Sequence, residues 1–208
     1  MDVEAVTIDA YGTLVALHDP VPPLRAALRA HGVERSDDEV ARAFAAEVEF
    51  YVPRSHEGRD EETLARLRRG CARTFLEAAG AAIDPDSFVG EFVAALRFRA
   101  LPGAAEACRR LAERGLRLAV VSNWDVGLHE HLARLELAPL LDVVVTSAEA
   151  GAPKPEPSVW TLALGRLGVE PGRAVHVGDS EADAEGARAV GMRFEPAPLA
   201  TAAARILA

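Results

Sequence analysis

Four short, mostly apolar runs rich in β-branched residues constrain this chain more than any other feature. They fall at residues 3–8, 116–121, 141–145 and 174–177. Each is near-continuous rather than alternating, so each predicts a strand buried on both faces, as in a parallel sheet covered by helices. Helical segments follow the last three runs or separate them. The segment from Pro102 stops at Gly115, residues 125–136 follow the second run, the segment from Pro157 stops at Gly168, and that from Glu181 stops at Gly191. Glycine just past the last turn is the expected stop. This alternation predicts a doubly wound, Rossmann-like α/β core with right-handed crossovers. A ligand site is then expected beyond the carboxyl ends of the strands.

Residues 16–99 read differently, as four helical segments without a convincing strand. Pro22 and Pro23 can open the first and Gly32 close it; Ser36 to Glu39 is a capping-box pattern for the second. Asp60 can start a third that runs to Gly80, and Asp84-Pro85 a fourth. The expected division is an α/β core of residues 1–15 and 100–208 with an inserted four-helix cap at 16–99. The crossings near 15–19 and 98–102 would be hinges. At 208 residues and 50% hydrophobic, the chain has enough apolar material for both parts.

The net charge of -9 argues against a nucleic-acid partner. No run approaches the roughly 20 apolar residues of a membrane span, and the N-terminus lacks the pattern of an export signal, so no membrane role and a cytoplasmic setting are expected. Cys71 and Cys108 stand alone in helical surroundings and read as small buried hydrophobes. Lys154 is the only lysine beside 22 arginines. A compact ammonium is the property that arginine does not supply.

Reactive residues follow each apolar run. The first leads into Asp9-Ala-Tyr-Gly-Thr13, the second into Ser122-Asn123-Trp124-Asp125, the third toward Lys154-Pro-Glu-Pro157, and the fourth into Gly178-Asp179-Ser-Glu-Ala-Asp183. One acid at a strand end is commonly a cap. Three acids, a hydroxyl and the lone lysine at successive strand ends are harder to explain that way, and a doubly wound sheet would converge them on one crevice.

These loops resemble the four motifs of the haloacid dehalogenase-like (HAD) superfamily, from Val3 to about Met192, with an insertion like that family's small helical cap. The resemblance implies a hydrolase with Asp9 as covalent nucleophile and Mg²⁺ as cofactor. It implies Asp9, Asp179 and the main-chain carbonyl of Tyr11 as metal ligands, with Asp183 contacting the ion or orienting its water. Ser122 and the Asn123 amide would hold phosphoryl oxygens. Lys154 would neutralise Asp9 and the transferred group, Thr13 would steady the nucleophile loop, and Gly12 would permit close backbone approach. The implied partner is a small phosphorylated substrate, with the protein a monomer or homodimer.

The pattern departs from the family's phosphatases at Tyr11, where they usually carry a second Asp as general acid/base. A free phenol ionises at about pH 10 and is a poor substitute. His18, Asp19 and Asp125 are nearby alternatives, although a hinge, a turn and a helix cap explain them individually. Three functions follow. The first is a Mg²⁺-dependent phosphatase for substrates with good leaving groups. The second is a metal-independent 2-haloacid dehalogenase, which shares Asp-x-Tyr-Gly-Thr but has neither the fourth-loop acid pair nor Trp160 in place of tyrosine, and needs a cap arginine that Arg42 does not clearly match. The third is a weakly catalytic module that binds a phosphorylated ligand or a protein partner. The uncompensated charge of Asp179 favours the phosphatase.

Other residues carry plainer expectations. His176 reads as a satisfied core histidine, His129 and His131 as solvated, and the arginines of 66–69 as a helix face. Trp124 could face substrate or pack beneath the cap. Phe44, Phe50, Tyr51, Phe88 and Phe92 are mostly cap core.

Overall fold

The computed structural model describes residues 3–208. In chain order the elements begin with β1 (Ala5–Ile8), β2 (Val15–Leu17), α1 (Val21–Ala30), α2 (Asp37–Tyr51), α3 (Glu61–Ala78) and α4 (Pro85–Ala95). They continue with β3 (Phe98–Ala100), α5 (Ala104–Glu113), β4 (Arg117–Ser122), α6 (Leu128–Arg134), β5 (Val143–Thr146) and α7 (Ser147–Ala150). The chain ends with α8 (Ser158–Leu167), β6 (Ala174–Gly178), α9 (Glu181–Ala189), β7 (Arg193–Pro196) and α10 (Leu199–Ile206).

The main sheet has the order β5-β4-β1-β6-β7, and its four pairings are all parallel. This is the doubly wound Rossmann-like core that the apolar runs predicted. Alternation along the strands sends successive side chains to opposite faces. Val6, Ile8, Leu118 and Val120 join Ala107, Cys108, Leu111 and Ala203 on one face. Ala5, Ala119, Val121 and Val145 join Val159, Trp160 and Leu164 on the other. Because both faces are covered, the strands read as near-continuous apolar runs. Parallel pairing also brings the carboxyl ends of the strands to one edge.

Three features exceed the sequence reading. β7 carries Phe194 between charged neighbours at the sheet edge, too polar to register as an apolar run. α10 packs against α5 and the sheet. The crossings expected to be hinges contain β2 and β3, which pair as a two-stranded ribbon; three residues each give too little periodicity to detect.

The chain divides into two compact units, one of the segment up to Ala16 with Phe98–Ala208, the other Leu17–Arg97. The second contains α1 to α4. Its core gathers Leu24, Leu28, Val40, Phe75, Phe88 and Phe92, with the Phe75 and Phe88 rings stacked at 6.0 Å. Ser36 and Glu39 form the capping box that the sequence suggested, and Asp60 and Asp84 cap α3 and α4.

Within this helical core one carboxyl group is buried. Burial pushes the pKa of Glu47 up, opposed in part by a hydrogen bond with Cys71. A raised folded-state pKa means that Glu47's contribution to stability is complete below the ordinary carboxylate value of 4.5 and is lost as pH rises through the folded value. Glu47→Gln, which removes the charge at similar volume, is expected to raise Tm at pH 7 and to flatten Tm against pH above 4.5. A variant no more stable than wild type at pH 7 contradicts a buried charge at this position.

Candidate active site

Asp9 continues β1 by one residue, its N–H donating to the Val177 carbonyl at 2.9 Å. The chain then turns back tightly. Leu14 and Val15 N–H groups both donate to the Ala10 carbonyl, and Gly12 N–H donates to Val15. The turn leaves Asp9 5% exposed and Tyr11 54% exposed. Thr13 is buried, and its hydroxyl has no hydrogen-bond partner among the described residues.

Gly12 has φ +85°, and a Cβ there would lie 2.0 Å from Asp179 Oδ2. The missing side chain is therefore what lets the β6 loop bring Asp179 against the β1 loop. Gly178 has a similar role within its own loop, where a Cβ would meet Asp183 Cγ at 2.5 Å.

The long-range geometry centres on Lys154. Its Nζ donates to Asp9 Oδ1 and Asp183 Oδ1, both at 2.5 Å, and to the Val121 carbonyl at 3.3 Å. All three ammonium donors are thus used. Ser122 Oγ donates to Asp9 Oδ1 at 3.2 Å. Asn123 clamps the lysine loop through its side chain: Oδ1 accepts from Lys154 N–H at 2.6 Å, and Nδ2 donates to the Lys154 carbonyl at 3.2 Å. That side-chain amide is therefore committed within the protein.

Asp183 is the N3 member of a capping box with Ser180 on α9. Its Oδ2 accepts from Ser180 N–H and Oγ, while Oδ1 lies against Lys154 Nζ and, at 3.0 Å, His176 Nε2. The roughly four acceptor sites of a carboxylate are filled. His176 also bonds Thr7 Oγ1 through Nδ1 at 2.8 Å. It is satisfied, as the sequence suggested, but its partner is a charged group of the site. The available signal was the matched placement of polar Thr7 and His176 inside two apolar runs, each two residues before a loop.

The charges are strongly coupled. Burial raises the Asp9 pKa, with Lys154 opposing and Asp183 reinforcing. Burial opposes the charge on Lys154, but Asp9 and Asp183 together raise its pKa. Burial also works against ionised Asp183, yet its bond from His176 and the charge of Lys154 hold its pKa well below the usual carboxylate range. The Asp179 pKa is raised by burial and by Asp183.

Ligand oxygens of Asp9, Asp179 and Asp183 lie within 4.8 Å of one another. Opposed oxygens around an octahedral Mg²⁺ lie roughly 4 Å apart, so modest adjustment would fit one ion. Three carboxylates face one ammonium, which leaves two negative charges, the charge a divalent cation offsets. The residues present fit a hard divalent cation.

The other candidates sort differently. Asp125 Oδ1 accepts the Gly127 N–H at 2.7 Å, and Asp19 Oδ1 accepts the Val21 N–H at 3.0 Å. Trp124 is buried against Phe98 and His131. His131 is therefore half-buried among aromatic rings rather than solvated, a correction to the sequence reading. His129 is exposed and bonds Glu149. Trp160 is fully buried, with its ring perpendicular to that of His176. No helix among the described residues is long and apolar enough to cross a membrane.

Fold and side-chain cluster together describe a doubly wound α/β enzyme with an acidic, lysine-bridged site at the carboxyl edge of its sheet. The chain belongs to the haloacid dehalogenase-like hydrolase family, whose model matches residues 3–191. Haloacid dehalogenase-like hydrolase domain-containing protein 3 of Mus musculus is 36% identical over 205 residues, covering 92% of this chain and 80% of that protein. Phosphoglycolate phosphatase of Rhodospirillum rubrum is 36% identical over 186 residues, covering 88% and 69%. The structure of L-2-haloacid dehalogenase from Xanthobacter autotrophicus with covalently bound chloropropionic acid aligns with a TM-score of 0.68 at 27% identity, over 92% of this chain and 76% of that one. The protein is thus a HAD-superfamily hydrolase with phosphatases among its relatives.

The role of Gly12 can be isolated. Gly115 has a similar φ of +79° with nothing within 4 Å of its missing Cβ. Alanine at either position carries a backbone penalty of about 1–2 kcal/mol. Gly12→Ala and Gly115→Ala should therefore lower Tm comparably, whereas only Gly12→Ala, by displacing Asp179, should lower turnover by about 10-fold or more. Equal activity in the two variants would refute the close-approach role.

Proposed function

We propose that this protein is a Mg²⁺-dependent phosphatase acting on small organic phosphates through an aspartyl-phosphate at Asp9. The observation that carries the reading is the cluster of Asp9, Asp179 and Asp183 around one lysine, with charge left for a divalent ion. A dehalogenase needs no metal and gains nothing from Asp179, whose carboxylate is costly beside two others.

In this reading a carboxylate oxygen of Asp9 attacks phosphorus and the bond to the leaving oxygen breaks. Water then cleaves the acyl phosphate, releasing phosphate and restoring the carboxylate. Asp9, Asp179 and the Tyr11 carbonyl would hold Mg²⁺. Asp183, with its oxygens already engaged, would orient the neighbouring groups and reach the ion only by releasing one bond. When bound, Mg²⁺ supplies positive charge for the phosphoryl oxygens. Lys154 opposes the rise that burial gives the Asp9 pKa, and would face the transferred group. Ser122 and the main-chain N–H of Asn123 would donate to phosphoryl oxygens, while the Asn123 side chain keeps Lys154 in place. Gly12 gives Asp179 its approach, and Thr13 belongs to the nucleophile loop. The inserted helical unit is assigned the role of the cap.

Tyr11 carries no carboxyl group, and Asp125 and Asp19 are engaged as turn and helix acceptors. The exposed His18 is left as the other candidate donor; without it the leaving group departs with little proton assistance, which favours aryl and acyl phosphates over alkyl phosphates.

The test measures phosphate release from para-nitrophenyl phosphate and chloride release from 2-chloropropionate in parallel, with Mg²⁺ and with chelator. Expected is Mg²⁺-dependent phosphate release that Asp9→Asn reduces by at least ~10³-fold. Metal-independent chloride release would establish the dehalogenase instead. Turnover of neither, with stabilisation by phosphate, would leave a binding module. Tyr11→Asp should raise turnover of alkyl phosphates by about 10-fold or more and of para-nitrophenyl phosphate by less. An equal effect on both substrates would remove leaving-group protonation as the missing element.

A further inference from the structure

We infer that Thr7 and His176 are positioning residues for the hydrolytic site, holding Asp183 so that Lys154 stays aimed at Asp9. Thr7 and His176 are register partners on adjacent parallel strands, two residues before Asp9 and Gly178. Side chains alternate along a strand, so Thr7 points to the same face as Asp9. Both Thr7 and His176 are fully buried.

The chain of contacts is unbroken. Thr7 Oγ1 meets His176 Nδ1 at 2.8 Å, and His176 Nε2 meets Asp183 Oδ1 at 3.0 Å. The same Asp183 oxygen accepts from Lys154 Nζ, which also donates to Asp9 Oδ1. An ionised carboxylate only accepts, so Nε2 carries the proton that binds Asp183. With a neutral ring, Nδ1 is then the acceptor and the Thr7 hydroxyl donates to it. Asp183 thereby fixes the tautomer, and Thr7, by donating to Nδ1, anchors the far side of the ring so that Nε2 stays aimed at the carboxylate, the relation by which a second layer of residues orients an active site. The Trp160 and His176 rings meet at 88° with their centroids 5.3 Å apart, a packing that restrains rotation of the imidazole. Loss of the Nε2 donor would free Asp183 Oδ1 to shift toward the ammonium and draw Lys154 away from Asp9.

A core histidine with no effect on the site would cost only stability when replaced. Two readouts separate these cases. Because the chain has one lysine, protein carrying ¹⁵Nζ-lysine gives a single ammonium resonance that reports Lys154 directly. Steady-state kinetics on para-nitrophenyl phosphate separates kcat from KM. His176→Leu is expected to move or broaden that resonance and to lower kcat by about 10–100-fold with KM nearly unchanged. His176→Gln places an amide donor near Nε2 and should restore both. Thr7→Val should move the resonance in the same direction by a smaller amount, and Thr7→Ser should not.

Because Thr7→Val leaves the imidazole in place, it tests the proposal even if His176→Leu fails to fold. An unmoved lysine resonance in Thr7→Val and His176→Leu, with only Tm lowered, overturns it. So does a His176→Gln variant as impaired as His176→Leu. The inference rests on the proposed hydrolysis for its kinetic part alone. If wild type releases no phosphate, that function fails while the lysine resonance still decides the positioning role.

Discussion

One buried ammonium ties together segments that are far apart in the chain. Lys154 bonds Asp9 across 145 residues and Asp183 across 29, and the three groups are almost wholly withdrawn from water. Taking such charges out of water costs several kcal/mol for each ion, and only close pairing offsets it. Lysine and carboxylates therefore depend on one another. The loops after β1 and β6, and the loop bearing Lys154, must stay together if none of these charges is to be left buried alone. The Asn123 side chain and the Ser180 capping box hold two of the three groups from outside the cluster.

The sheet makes this meeting possible and the glycines make it close. Five parallel strands present their carboxyl ends along one edge, so residues distant in sequence arrive within reach of each other. Gly12 and Gly178 then remove the atoms that would block Asp179 and Asp183. The result has more negative than positive charge. Lys154 can balance one carboxylate, and Asp183 gains further support from His176 and Ser180, but Asp179 receives no comparable partner among the described residues. A divalent cation is the simplest group that would relieve this imbalance.

Much of the architecture was legible because burial on both faces leaves an unmistakable trace in β1, β4, β5 and β6. Their polar continuations marked the loops that bring Asp9, Lys154, Asp179 and Asp183 together. β7 was not legible, since an edge strand needs little apolar surface, and β2 and β3 are shorter than any pattern can register. Tertiary partners were also hidden. Trp124 and His131 pack with Phe98, which comes from a distant ribbon. The bonds from the Asn123 side chain to the Lys154 backbone were hidden as well, because they join loops 31 residues apart. His176 was legible as a satisfied histidine but not as a partner of Asp183, because the bond depends on strand register that the sequence does not display.

The imbalance of charge at Asp9, Asp179 and Asp183 is the central claim, and calorimetric titration with Mg²⁺ addresses it without any substrate. Wild type should take up one ion per chain, and Asp179→Asn should lose that binding while keeping its fold. Absence of Mg²⁺ uptake at millimolar concentration, or equal uptake by Asp179→Asn, would contradict the account.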